Sequence, residues 1–165
     1  MGSFIINGGC RLSGEIIPQG AKNEALQILC AVLLTPEKVT INNIPDILDV
    51  NKLIELLSGM GVKVEKLGKG SYSFRAEEIN LEYFKSQEFR KKGGGLRGSI
   101  MLIGPLLARY GKAFMPHPGG DKIGRRRLDT HFIGLQKLGA KFDFENVNTF
   151  YSVSAPELKG CYMLL

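Results

Sequence analysis

"GVKVEKLGKGSYSFRA", residues 61–76, is the stretch on which the fold turns. Val62 and Val64 alternate with Lys63 and Glu65, and Tyr72 and Phe74 alternate with Ser71 and Ser73. A period of two marks a pair of half-buried strands, and "LGKG" between them supplies the turn. Upstream, in "DILDVNKLIELLSGMG", Val50, Leu53, Ile54 and Leu57 share one helical stripe, with Gly61 as its stop. "VTIN", residues 39–42, reads as a short strand, and "AKNEALQILCAVLL", residues 21–34, as another helix with Ala25, Leu29, Val32 and Leu33 at helical spacing.

The same order recurs. "SIMLIGPLLARYG" reads as a helix ending near Gly111, "KAFM" as a strand, and "RLDTHFIGLQKLG" as a helix with Leu128, Phe132 and Leu135 on one side and Gly139 as its stop. "AKFDF" and "TFYSV" form a second pair of strands. The offset between the units is 73 residues at Leu33-Leu34 and Leu106-Leu107, and 78 at Gly61 and Gly139, so five residues enter between these landmarks. "LKGCY", residues 158–162, echoes "LSGEI", residues 12–16, and "CYMLL" reads as the opening strand of a third unit. The sequence therefore predicts an α/β protein built from βαβαββ repeats: one over residues 21–84, one over 85–157, and the start of another over 158–165. Such units bury their apolar faces only against neighbours.

Composition sets the bounds. Of 165 residues, 44% are hydrophobic and 23% charged, ordinary values for a globular chain with a core. The longest apolar runs fall far short of a membrane span, and "MGSFIINGG" lacks the features of a signal peptide. The expected location is the cytoplasm. Cys10, Cys30 and Cys161 form no metal or redox pattern and read as three reduced thiols. Residues 90–127 hold ten Lys or Arg and one acid, Asp121, whereas the remainder is mildly acidic. That asymmetry points to an anionic ligand, either a phosphorylated small molecule or a nucleic acid.

The inserted residues lie within "PGGDKIGRRRLDTH", residues 118–131, where Gly119 and Gly120 permit close backbone approach. Arg126 and Arg127 open a helix, where backbone N–H groups and the dipole also attract anions. Asp129 in that first turn either complements the dipole or contacts a ligand. Lys22 and Asn23 in "GAKN" open the first helix, and Arg97 in "GGGLRGS" opens the third. A lysine at a helix N-terminus opposes the dipole, so a bound phosphate or carboxylate is expected beside it. "GGGLRGS" has phosphate-loop spacing from Gly93 to Gly98 but lacks the lysine that such a loop needs. His117 and His131 show no ligand spacing, so no metal is expected.

Taken together, "GAKNEALQILCAVLL", "LRGSIMLIGPLLARYG", "PGGDKIGRRRLDTHFIGLQKLGA" and "LKG" resemble the N-terminal part of the UDP-N-acetylglucosamine 1-carboxyvinyltransferases, which open bacterial peptidoglycan synthesis. The resemblance runs over nearly the whole chain with the motifs in order. It implies an enolpyruvyl transferase-like fold of two inside-out α/β barrels, each of three repeats, closing around the substrates. Family members are more than twice this length. The third repeat and second domain would thus be missing, and residues 1–20 would supply strands to that second domain. The isolated 165 residues would not turn over. The partners implied are phosphoenolpyruvate and UDP-N-acetylglucosamine, with no cofactor, nucleic acid or membrane.

The resemblance also implies roles. Lys22, Asn23 and Arg126 match residues that hold phosphoenolpyruvate. Arg97, Arg126, Arg127, Leu128, Asp129 and Thr130 match the UDP-sugar contacts. The family loop usually has cysteine after Pro-Gly-Gly, and here that position is Asp121, as in a minority of the family. In the implied reaction the sugar 3-hydroxyl adds to C2 of phosphoenolpyruvate while C3 takes a proton, and the tetrahedral intermediate then loses phosphate. Asp121 would be the general acid and catalytic residue. Neighbouring arginines favour its ionised form, so it would gain the proton only in a closed complex with the anionic ligand. The alternatives are the shikimate-pathway enolpyruvyl transferase, which shares the fold, and a basic nucleic-acid-binding module. The loop sequence argues against the first, and the lack of a binding motif argues against the second.

Overall fold

The computed structural model describes residues 3–116, 127–143 and 150–164. The first unit runs α1 (Lys22–Ala31), β1 (Lys38–Ile41), α2 (Leu48–Gly59), β2 (Lys63–Gly68) and β3 (Ser71–Arg75). The chain then makes a 3₁₀ turn (Leu81–Lys85) and helix α3 (Gln87–Gly94). A second 3₁₀ segment (Arg97–Leu102) leads into α4 (Ile103–Tyr110), and β4 (Lys112–Pro116), α5 (Asp129–Lys137), β5 (Lys141–Asp143) and β6 (Phe150–Ser154) follow.

Each unit makes a three-stranded sheet with its last strand in the centre: β1-β3-β2 and β4-β6-β5. β3 runs antiparallel to both neighbours, so β1 and β2 are parallel and joined by a crossover through α2. β6 does the same between β4 and β5. The registers correspond. Phe74 lies between Val39 and Val64, and Val153 lies between Ala113 and Phe142. Along β1, Val39 and Ile41 turn toward the core while Lys38 and Thr40 are more exposed, the period-two pattern of a sheet with one wet face.

One apolar core serves both units. α1 packs on α2, α2 on α3, and α4 on β4. Leu29, Leu33, Leu53, Leu57, Leu102 and Leu106 are wholly buried. Two helix ends close as the glycine positions predict. After α2, Gly61 takes φ +103° and Val62 N–H donates to the Leu57 carbonyl. After α5, Gly139 takes φ +104° and Ala140 N–H donates to the Leu135 carbonyl. Both are six-to-one closures that need a left-handed residue.

Two expectations shift. Arg97 does not open an α-helix directly: residues 97–102 form a 3₁₀ segment and the α-helix begins at Ile103. Helix α3 and the 3₁₀ turn before it went unread. They form because Asn80 accepts from Glu82 and Tyr83 N–H, Ser86 caps α3 at Phe89 N–H, and Phe84 and Phe89 stack edge to face at 4.8 Å inside the core. Residues 3–20 and 161–164 carry no strand, because a strand is a pairing and no partner for them lies among the described residues. Phe4, Ile5, Ile6, Leu12, Ile16 and Ile17 are consequently exposed.

Arg109, near the end of α4, ties the units together. Its guanidinium donates to the carbonyls of Leu33 (3.1 Å), Ala76 (2.6 Å) and Glu77 (3.2 Å), all in the first unit. A planar fork reaches these three acceptors and a single ammonium does not. Replacing it by methionine, Arg109→Met, should lower the unfolding free energy by about 2–3 kcal/mol, with Arg109→Lys recovering only part. Urea denaturation checks this, and a loss under about 0.5 kcal/mol would remove the clamp from the account.

Candidate anion-binding site

The chain reaches α1 through a tight passage. A Cβ on Gly20 would collide with the carbonyl oxygen of Asn43, so only glycine lets these backbones meet. Asn43 itself takes φ +58°, a left-handed conformation that asparagine tolerates better than most residues. This crossing holds the start of α1 beside the turn that precedes α2. Lys22 is the first residue of α1, and Ala21 before it offers no side-chain cap.

Lys22 and Asn23 line a cavity of about 690 Å³ together with Asp49 and Lys52 of α2 and with Arg97. Lys22 forms an ion pair with Asp49, which lies in the first turn of α2. The anion expected beside Lys22 is therefore present within the chain itself. Asp49 sits where a helix dipole favours a carboxylate, and Lys22 where it disfavours an ammonium, by roughly 0.3–1 kcal/mol each. Gly98 completes the close approach, since a Cβ there would meet Leu26 of α1 at 3.0 Å.

Arg97 is half-buried, and its Nη2 reaches the Arg127 carbonyl at 3.5 Å, a long contact that brings the start of α5 to the edge of the site. Arg127 pairs with Asp129, the first residue of α5, through both Nε and Nη2. Leu128 precedes that helix and Thr130 is exposed on its first turn. None of Arg127, Leu128, Asp129 and Thr130 lines the cavity itself. Asp121, Arg126 and His117 lie outside the described residues.

The phosphate-loop geometry is absent from "GGGLRGS". Gly93 and Gly94 are helical, and the buried Ser99 hydroxyl faces the carbonyls of Gly93 (3.0 Å) and Leu96 (2.6 Å), where it holds a turn. Cys30 is buried, and desolvation pushes its thiol up to about 12, so it packs rather than reacts. Among the described residues no three His, Cys, Asp or Glu side chains gather to hold a metal, and no helix is long and apolar enough to cross a membrane. A cleft of about 750 Å³ between residues 17–19, 43–46 and 66–72 contains none of the catalytic or binding candidates read from the sequence.

Asp49 and Lys52 were missed in the sequence. "DVNK" carried one usable signal, an acid in a helix's first turn, but nothing in it names Lys22 as the partner.

The repeated units define the class of fold. The structure is similar to the crystal structure of the enolpyruvyl transferase NikO from Streptomyces tendae, with a TM-score of 0.67 at 21% identity over 94% of this chain and 33% of that one. Residues 6–162 match the family described as EPSP synthase (3-phosphoshikimate 1-carboxyvinyltransferase), and the chain belongs to that family. Within it, the chain is 64% identical over its whole length to a UDP-N-acetylglucosamine 1-carboxyvinyltransferase of Bacteroides fragilis, and 55% identical to that of Porphyromonas gingivalis. It spans 38% of the length of each of these relatives.

The crossing at Gly20 gives a direct test of how the site is positioned. Gly20→Ala forces Asn43 or α1 to move, which should cost about 1–3 kcal/mol. Amide spectra should show displaced resonances at residues 21–24 and 43–45. Unchanged stability with unchanged spectra would show that the crossing does not set the position of Lys22.

Proposed function

We propose that this chain is the substrate-binding part of a cytoplasmic UDP-N-acetylglucosamine 1-carboxyvinyltransferase, acting in cell wall synthesis. The observation that carries the reading is the convergence of Lys22, Asn23 and Arg97 on one cavity in a chain so similar to enzymes of that name. That similarity also favours the UDP-sugar reaction over the shikimate one. A cluster of ammonium, guanidinium and amide donors suits a ligand carrying a phosphate and a carboxylate.

In this reading Lys22 and Asn23 hold the phosphate of phosphoenolpyruvate, and Arg126 joins them from the loop. Arg97, Arg127, Leu128, Asp129 and Thr130 hold the nucleotide sugar. The sugar 3-hydroxyl attacks C2, and Asp121 delivers a proton to C3. The hydroxyl proton is released as the C2–O bond forms, and the tetrahedral intermediate then loses phosphate together with one C3 proton, which restores the double bond while the same cations balance the phosphate charge. The rest of the enzyme, beyond the length spanned here, closes over the substrates.

The reading is tested in a full-length protein in which these 165 residues replace the matching segment of the Bacteroides fragilis relative. It should release inorganic phosphate only when both substrates are present. Asp121→Asn should lower kcat at least about 100-fold, the scale of a lost general acid, and activity near wild type would exclude Asp121 from that role. A second expectation concerns fosfomycin, which alkylates the loop cysteine of the family. A carboxylate is the poorer nucleophile, so mass spectrometry should find no rapid adduct at Asp121.

A further inference from the structure

The Lys22–Asp49 pair joins the starts of two helices across the candidate cavity. The geometry points to Asp49 as a positioning residue that holds the Lys22 ammonium in place for the enol phosphate; this rests on the proposed substrate reading.

Lys22 has four rotatable side-chain bonds, no capping residue before it, and a helix dipole that pushes its ammonium away from the N–H groups of the first turn. Left alone, the ammonium would extend into water, and a ligand would bear the entropic cost of ordering a long, flexible side chain. Asp49 removes that disorder beforehand. Its own position is set by α2, whose Val50 and Leu53 are wholly buried and fix the rotation of the helix. The carboxylate has a competing cation one turn on, Lys52, on the same cavity wall, yet the ion pair is with Lys22. The pair is neither deeply buried nor fully exposed, with side chains 45% and 35% accessible. Its worth to stability is correspondingly small, so its effect belongs to ligand binding rather than to folding.

Two electrostatic effects compete when Asp49 is neutralised. The site loses a negative charge, which favours an anionic ligand, and it loses the anchor of the ammonium that contacts this ligand. The proposal is that the second effect dominates.

The test uses the full-length chimera described above and isothermal titration with phosphoenolpyruvate in the presence of UDP-N-acetylglucosamine. Asp49→Asn should weaken phosphoenolpyruvate binding about tenfold, the affinity equivalent of the ordering cost, and shift nucleotide-sugar binding less than twofold. Asp49→Glu, which keeps the carboxylate, should retain most of the affinity. In the ligand-free protein, an amine-acylating reagent should label Lys22 several-fold faster in Asp49→Asn, with Lys52 as the internal reference.

Unchanged or tighter phosphoenolpyruvate binding in Asp49→Asn overturns the proposal, because it makes Asp49 a bystander or a competitor. An equal loss for both substrates also overturns it, as that is the mark of a general structural defect. If the unaltered chimera binds neither substrate, the functional reading itself fails; a wild type that binds both, with Asp49→Asn indistinguishable from it, removes only the role of Asp49.

Discussion

A lysine at the positive end of a helix opposes the dipole unless an anion lies beside it, and the arrangement around Lys22 follows from that constraint. α1 offers no cap and an unfavourable dipole. α2 answers with Asp49, placed at a helix start that favours a carboxylate. The two helix starts can meet only because the backbone crosses itself at Gly20 and Asn43 without a side chain between. A region of the surface is thereby kept charged and partly desolvated, a condition that a chain normally avoids.

Two copies of one folding pattern supply the frame. In each sheet the last strand lies between the two parallel ones, so the crossover helix must pack on one face and leave the other wet. The helices share a single core, and Arg109 crosses between units to satisfy carbonyls of the first. This coupling explains how residues as distant in sequence as Lys22, Asp49 and Arg97 line one cavity.

Charge, likewise, is distributed with a purpose that residue counts do not reveal. On the first sheet, Lys38, Arg75 and Lys63 sit side by side in register, a row of like charges. Glu77 bonds to Lys63 and Arg75, and Glu65 faces Lys38. The hydrogen bond from Lys63, and then the charge of Arg75, hold the Glu77 carboxyl below the usual carboxylate range. Those cations belong to the sheet surface. Among the described residues the cations of the cavity have one carboxylate, Asp49, on its lining, and the difference separates scaffold from candidate site.

The amino-acid sequence alone determined what depends on near neighbours along the chain. Period-two hairpins, the helical stripes of α1, α2 and α5 and the glycine stops at Gly61 and Gly139 were legible because each rests on backbone sterics or on spacing within about ten residues, and the repeat was legible because the same local patterns recur in the same order. Helix α3 escaped because Phe84 and Phe89 follow no clear period, and their burial depends on elements far away in sequence. The pairing of Lys22 with Asp49 and the reach of Arg109 escaped for the same reason. Only the tertiary structure decides which distant charge an ammonium meets, since that choice is set by how whole helices rotate and pack against a shared core.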